Sequence, residues 1–447
     1  MSKHSTDIKR QFSNSLKRGT GEAYLILQGN PNIDFSDIII KGAVKNYAYD
    51  QQSEGSRAVY IYQFIKRVKQ KDKIIKAVLT KLKVEKEDYW SLDQMCDLAV
   101  LFFKAGHTEA KTTLYNRFNK NTLEDYALCG KEQLMEIDGM NGILKVAEIV
   151  GKKIVEENDS EDSYLIDTFQ KRHKDISVYA ELSKASKKNK FIEAYHKSIL
   201  ENKWTFSKRR KITKFSYALV KEKIESNKFR VVSVDRANDL SIEEVEKLAT
   251  ELLAEKDKQK QMQYLRFFAK RKFPFDYKPI LKIASGKDAA VIRLIEFSVY
   301  ALQYFSGKDI RELAFEKLKS LKNPFKYLNL LVSNYKKGDK IILNEIANRS
   351  DNYDFIHSIG FGYLNIYEAN KTKECREPLE TIYKKMNCGL CRKNVIKLLH
   401  DNNVLSDTIR QEIKFDSNAE VRKLYKLIDK NGRQHTVFTE NRRTLVT

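Results

Sequence analysis

The stretch DSNAEVRKLYKLI, residues 416–428, has the pattern of a turn followed by an amphipathic helix. Its apolar side chains recur at three- and four-residue intervals, at Val421, Leu424, Tyr425 and Ile428. This spacing places them on one face of an α-helix. Asp416 lies before the helix, where a carboxylate can accept hydrogen bonds from the first backbone N–H groups. The stretch therefore predicts a capped helix that buries one side against a neighbour.

The same helical period extends over most of the chain. Residues 57–68 repeat it, with Ala58, Ile61, Tyr62 and Ile65 on one face. The 447 residues include only 5 prolines and 17 glycines, too few for the regularly spaced turns of an all-β sandwich or barrel. We therefore predict an all-α protein in which helices are joined by short polar turns.

Three stretches resemble HEAT repeats. Asp416 precedes Arg422 by six positions, as in that family, and Asp288 precedes Arg293 by five. A third helix begins at DIRELA, residues 309–314. The resemblance implies a right-handed α-solenoid of stacked antiparallel helix pairs, whose extended surface binds other macromolecules. Thr408 stands where the family has a proline, so the repeat register stays open.

Four regions are predicted along the chain. Residues 1–200 form an N-terminal helical-repeat half, and residues 201–240 form a basic connector. Residues 241–430 form a C-terminal HEAT-like half, and residues 431–447 form a flexible tail without helical period.

The charge balance predicts an acidic partner. Lys and Arg number 83 against 60 Asp and Glu, a formal net charge of +23. Such a charge attracts nucleic acid or an acidic protein, although a lysine-rich composition alone can also produce it. The chain has no apolar leader and no run of 18 uncharged apolar residues, and its 5 cysteines do not suggest a disulfide framework. We expect a cytoplasmic protein without a membrane-spanning segment.

The strongest candidate binding segment is WTFSKRRKITKF, residues 204–215. Its cations can neutralise phosphates, and its aromatic rings can stack on exposed bases. The candidate nucleic-acid-binding residues are Trp204, Lys208, Arg209, Arg210, Lys211 and Lys214. The alternative is a solvated connector between the two halves.

Lys270, Arg271 and Lys272 form a second candidate cluster, between Phe267-Phe268 and Phe273-Pro274-Phe275. We include these three cations among the predicted nucleic-acid contacts. A helix ending near Pro274 offers a structural alternative, because cations in a last turn interact favourably with the helix dipole whatever the ligand.

Two further groups of residues are candidates for chemical sites. Cys375, Cys388, Cys391 and His400 have the spacing C-x12-C-x2-C-x8-H, which permits a zinc site, but the pattern fits a pair of buried or half-exposed thiols better. Trp90 and Asp93 lie three residues apart on a helix, an arrangement similar to the catalytic helix of the HEAT-like-repeat alkylpurine DNA glycosylases. Those enzymes place the aspartate four residues after the tryptophan, so a carboxylate beside a core tryptophan is the alternative.

Phosphate-loop, metalloprotease and nucleophile-elbow motifs are absent from the sequence. The sequence thus predicts a non-enzymatic adaptor that binds an acidic macromolecule, most simply nucleic acid, through a basic surface. It predicts no cofactor and no metal. A protein–protein interaction scaffold and a HEAT-like DNA glycosylase acting on alkylated bases are the alternatives.

Overall fold

The computed structural model describes residues 3–86, 88–120, 129–203, 215–230, 234–286, 292–322 and 324–429. These ranges contain α-helices and short 3₁₀ turns, and they contain no β-strand. The prediction of an all-α protein is confirmed. Within the same ranges, no helix combines the length and apolar character that crossing a bilayer requires.

The helices are numbered in chain order. The first twelve are α1 (Lys3–Arg18), α2 (Glu22–Gly29), α3 (Ser36–Val44), α4 (Gln51–Glu54), α5 (Ala58–Ile65), α6 (Lys71–Leu82), α7 (Tyr89–Lys104), α8 (Glu109–Asn119), α9 (Lys131–Glu157), α10 (Tyr164–Arg172), α11 (Val178–Ser186) and α12 (Lys190–Glu201). They are followed by α13 (Tyr217–Glu225), α14 (Val234–Ala237), α15 (Ile242–Ala254), α16 (Lys258–Phe268), α17 (Lys278–Ala284), α18 (Ile292–Leu302), α19 (Lys308–Ser320), α20 (Phe325–Leu328), α21 (Lys340–Asn348), α22 (Tyr353–Ala369), α23 (Arg376–Lys385), α24 (Gly389–Asp401), α25 (Asp407–Glu412) and α26 (419–429).

The chain divides into two compact units. The first consists of Met1–Arg209, Asn387–Leu390 and Asp407–Thr447, and the second of Arg210–Met386 and Cys391–Ser406. This division differs from the predicted halves, because the C-terminal segment belongs to the first unit. There the Phe415 ring stacks on Tyr24 at 3.7 Å between centroids, and the Ser417 N–H donates to the Gly19 carbonyl at 2.8 Å. Periodicity along the chain does not reveal such long-range contacts.

Within the first unit, the predicted face of α5 is buried. Ala58, Ile61 and Ile65 are almost fully buried in the hydrophobic core, and Tyr62 packs at its edge. The core also collects phenylalanines from helices far apart in the sequence, among them Phe12, Phe64 and Phe102. Burial of these apolar faces is the main stabilising contribution to a helical unit of this kind.

The cap of α26 is Asn418, and the prediction of Asp416 as the cap is wrong. The Asn418 side chain accepts hydrogen bonds from the N–H groups of Glu420 (2.9 Å) and Val421 (3.3 Å). Asp416 instead accepts the N–H of Asn418 at 2.8 Å, so it stabilises the turn before the helix. Arg422 donates to the Asp416 carbonyl at 2.6 Å, closing the same turn. Asparagine caps a helix as well as aspartate does, and Asn418 lies nearer to the first helical N–H groups.

In the second unit, helices contact alternate neighbours as well as sequence neighbours. Helix α16 contacts α18, α18 contacts α20, and α20 contacts α22, while α19 contacts α21 and α21 contacts α23. This alternation is compatible with the stacked helix pairs of a helical-repeat protein.

Polar side chains at the ends of these pairs join each pair to another. The hydrogen bonds run from Asn334 to the Phe305 carbonyl, from Asn370 to the Val332 carbonyl, and from the Thr372 N–H to Asn402, all at 2.8 Å. Each joins residues 29, 38 or 30 positions apart. Polar bonds that join residues 29 to 38 positions apart are compatible with an internal repeat of helix pairs in the second unit.

Candidate nucleic-acid interface

The strongest sequence candidate lies outside the described residues. The structure describes the chain up to Lys203 and again from Phe215. Trp204, Lys208, Arg209, Arg210, Lys211 and Lys214 all lie between them. Their role in binding therefore stays a prediction.

The second basic cluster follows the end of α16, which stops at Phe268 and not at Pro274. Phe267, Phe268 and Phe273 are fully buried, and successive rings meet edge to face at 5.2 and 5.0 Å. These aromatic side chains hold the turn against the core, so they are not free to stack on a ligand. The three cations of residues 270–272 project from a turn that is fixed at both ends.

The partners of these cations are neutral groups. Arg271 donates to the side-chain oxygen of Asn238, and the Lys272 ammonium lies 5.2 Å from the centroid of the Phe305 ring. Lys272 is exposed, and Lys270 is half-buried. Among the described residues, none of the three forms an ion pair with a carboxylate. Their positive charge is therefore not neutralised locally.

Two arginines that no sequence pattern singles out extend this positive region. Arg266, on α16, donates to the Phe229 carbonyl at 2.7 Å, and its guanidinium lies 5.2 Å from the centroid of the Phe297 ring. Arg293 lies on α18 one turn before Phe297, so both share a helix face. Burial and the nearby charge of Arg293 together lower the pKa of Arg266. Two positive charges are thus held close together.

We call Arg266, Lys270, Arg271, Lys272 and Arg293 the basic strip. Within the described part of the chain, no member of the strip has a carboxylate ion-pair partner. Other cations of the second unit are paired at 2.5–3.1 Å, as in Lys221 with Glu225 and Glu251, Lys260 with Glu225, Lys278 with Asp309, and Arg311 with Asp339. The strip therefore keeps five positive charges that no described carboxylate compensates, whereas these other cations of the same unit are compensated.

The predicted zinc pattern of three cysteines and His400 differs from the histidine and cysteine that lie close together in the second unit. Cys375, Cys388 and Cys391 are all buried, and burial raises the pKa of the Cys375 thiol to about 11. In the second unit, a His357 nitrogen lies within 4.8 Å of the Cys391 sulfur. The histidine that lies near the Cys391 thiol is therefore His357, which is not part of the predicted pattern from Cys375 to His400.

Trp90 and Asp93 lie on the first two turns of α7, in the first unit. The half-buried Trp90 ring meets Tyr89 edge to face at 5.1 Å. Asp93 and Asp97 both accept hydrogen bonds from the Gln133 amide, at 3.2 and 2.6 Å. Burial, and then the negative charge of Asp97, raise the pKa of Asp93 to about 6. This carboxylate pair can take up a proton at mildly acidic pH.

We predict that Asp93→Asn stabilises the protein at pH 7. The folded-state pKa of Asp93 lies above the usual aspartate value of 3.8, so between these two pKa values the folded protein holds a proton that the unfolded chain has lost. Stability is therefore greatest below the unfolded pKa and falls as pH rises through about 6, by at most roughly 3 kcal/mol. The neutral amide removes this loss while still accepting from Gln133.

Urea unfolding at pH 5 and pH 7 tests this prediction, with Asp72→Asn at an exposed position of α6 as the control. Glu132 also faces Asp93 and raises its pKa, and it is unchanged in both variants. A loss of stability at pH 7 in Asp93→Asn would show that the ionised carboxylate is needed for folding.

No protein-family model, curated protein or solved structure matches this chain.

Proposed function

We propose that the protein is a non-enzymatic helical-repeat adaptor that binds nucleic acid through the basic strip of its second unit. The observation that carries the proposal is the absence of carboxylate partners for the five cations among the described residues. A phosphate backbone supplies closely spaced negative charges, and its neutralisation releases counterions into solution. A HEAT-like, right-handed α-solenoid is the fold that we propose for this surface, and the recurring interhelical hydrogen bonds of the second unit support it.

The helix dipole explains the positions of only some of the cations in the basic strip. Lys270, Arg271 and Lys272 follow the C-terminal end of α16, where backbone carbonyls attract cations without any ligand. Arg293 is exposed on α18, so the C-terminal dipole that favours the cations of residues 270–272 does not account for its position. A bound phosphate would supply the negative charge that no described carboxylate supplies to Arg293.

Charge reversal at the strip tests the proposal. The variant Lys270→Glu/Arg271→Glu/Lys272→Glu should bind an oligonucleotide roughly tenfold or more weakly than wild type at moderate salt, because several phosphate contacts are lost. These side chains do not form the core, so the variant should keep its helical circular dichroism spectrum.

The matched control is Lys308→Glu/Lys319→Glu/Lys337→Glu, which changes the net charge equally at exposed positions of the same unit. Fluorescence anisotropy with the same probe compares the two. Equal losses of affinity in both variants would mean that net charge, and not the strip, governs binding. That result would favour the alternative of a protein–protein interaction scaffold with a generally basic surface.

A further inference from the structure

The exposed side of α18 carries aromatic side chains next to the arginines of the strip. Phe297 and Tyr300 follow Arg293 by four and seven positions, which places all three on one helix face. Both rings are half-buried, and their centroids lie 6.2 Å apart at an interplanar angle of 63°. The opposite face of α18 is buried through Leu294, Val299 and other residues. The partly exposed side thus carries two aromatic rings, whereas the solvent face of a surface helix is usually polar or charged.

The Arg266 guanidinium completes this arrangement. It lies over the Phe297 ring, and its bond to the Phe229 carbonyl fixes its orientation. A guanidinium and an aromatic ring both offer flat surfaces on which a nucleobase can stack, and the positive charge also attracts the adjoining phosphate. Charge and stacking surface therefore occur together in this small area.

We propose that the basic strip takes single-stranded nucleic acid, with bases stacked at Phe297 and Tyr300 and phosphates held by Arg266 and Arg293. This inference rests on the proposed function, because it specifies the ligand of the same surface. A duplex hides its base faces in the stack and offers only phosphates and groove edges. The aromatic rings would then contribute nothing, whereas an unpaired strand uses both parts of the surface.

Tyr304, just beyond α18, is not part of the proposed contact. Its hydroxyl donates to the Ala269 carbonyl at 3.3 Å, so it links two helix ends. This structural role makes its substitution a poor probe of binding, and the experiment therefore uses Phe297 and Tyr300.

The experiment measures anisotropy of labelled oligo(dT) and of the oligo(dT)·oligo(dA) duplex of equal length. Wild type should bind the single strand roughly tenfold more tightly than the duplex. Phe297→Leu and Tyr300→Leu should each weaken single-strand binding by roughly tenfold with an unchanged salt dependence. Arg266→Gln and Arg293→Gln should instead reduce the salt dependence, by about 0.7 in the slope of log affinity against log salt for each lost phosphate contact.

Two controls separate stacking from folding. Phe297→Tyr keeps the ring and should retain single-strand affinity, and Tyr164→Leu changes a 46% exposed ring in the first unit. Equal affinity for both probes, or a loss in Phe297→Leu no greater than in Tyr164→Leu, would overturn the single-strand inference and leave the proposed function standing. Failure to bind either probe at low salt would overturn the proposed function itself.

Discussion

Replacing Asn334 with alanine is expected to destabilise the second unit by roughly 3 kcal/mol or more. The buried Asn334 amide donates to the Phe305 and Leu330 carbonyls, both at 2.8 Å, and its oxygen accepts the Gly307 N–H at 2.9 Å. Alanine leaves these three backbone groups without this partner, and each buried polar group left unpaired costs about 1–3 kcal/mol. Because the groups come from two helix pairs, the loss also weakens the contact between them.

Chemical denaturation of the variant measures this effect, with Asn348→Ala as the matched control. Asn348 is exposed near the end of α21 and bonds to the Asn344 carbonyl of its own helix at 2.9 Å, so its removal should change stability by less than about 0.5 kcal/mol. A similar small change in both variants would show that these interhelical bonds do not stabilise the repeat.

Charge reversal of Lys208, Arg209, Arg210 and Lys211 is expected to cause the largest loss of nucleic-acid binding, because the sequence predicts that these cations bind phosphates in addition to those held by the basic strip. The four cations are contiguous in sequence and follow Trp204 and Phe206, so they can contact successive phosphates of one strand. The slope of log affinity against log salt should become less steep by about 0.7 to 0.9 for each lost contact. The loss of four contacts should therefore make it less steep by about 3. Binding measured at several salt concentrations gives this slope directly.

The helical circular dichroism spectrum and thermal stability of this variant should equal those of wild type, since a run of four charges does not form a core. Unchanged affinity in the folded variant would remove this segment from the binding surface. The basic strip would then have to account for nucleic-acid binding by itself.

The helical class could be predicted because it depends on local patterns. Ala58, Ile61 and Ile65 are buried as their spacing indicates, and the scarcity of proline and glycine agrees with a described structure without strands. The cap of α26 was misplaced by two residues, because Asp416 and Asn418 are both good capping residues. Only the backbone geometry distinguishes which of them faces the free N–H groups.

Long-range features could not be predicted. The contact of Phe415 with Tyr24, which brings the C-terminal segment into the first unit, has no signature in either segment. The carboxylate pair on α7 depends on Gln133, a residue of α9, and the shifted pKa of Asp93 depends on burial that no spacing rule supplies.

The basic strip could be predicted from the sequence only in part. Lys270, Arg271 and Lys272 are adjacent in the sequence and could be selected from their charge alone. Arg266 and Arg293 lie on different helices, and only the packing of α16 against α18 brings them together beside Phe297. A single arginine on a helix face carries no sequence signal that separates a ligand contact from an ordinary solvated cation.

The most direct test of nucleic-acid binding is the affinity of the wild-type protein for oligo(dT) as a function of salt concentration. We predict tight binding at low salt and a linear fall of log affinity with log salt, with a slope of about −0.7 for each phosphate contact. A chain that contacts several phosphates should give a slope of about −3 or steeper. Undetectable binding at low salt, or binding that does not change with salt, would contradict the proposal that the protein binds nucleic acid through its basic surface.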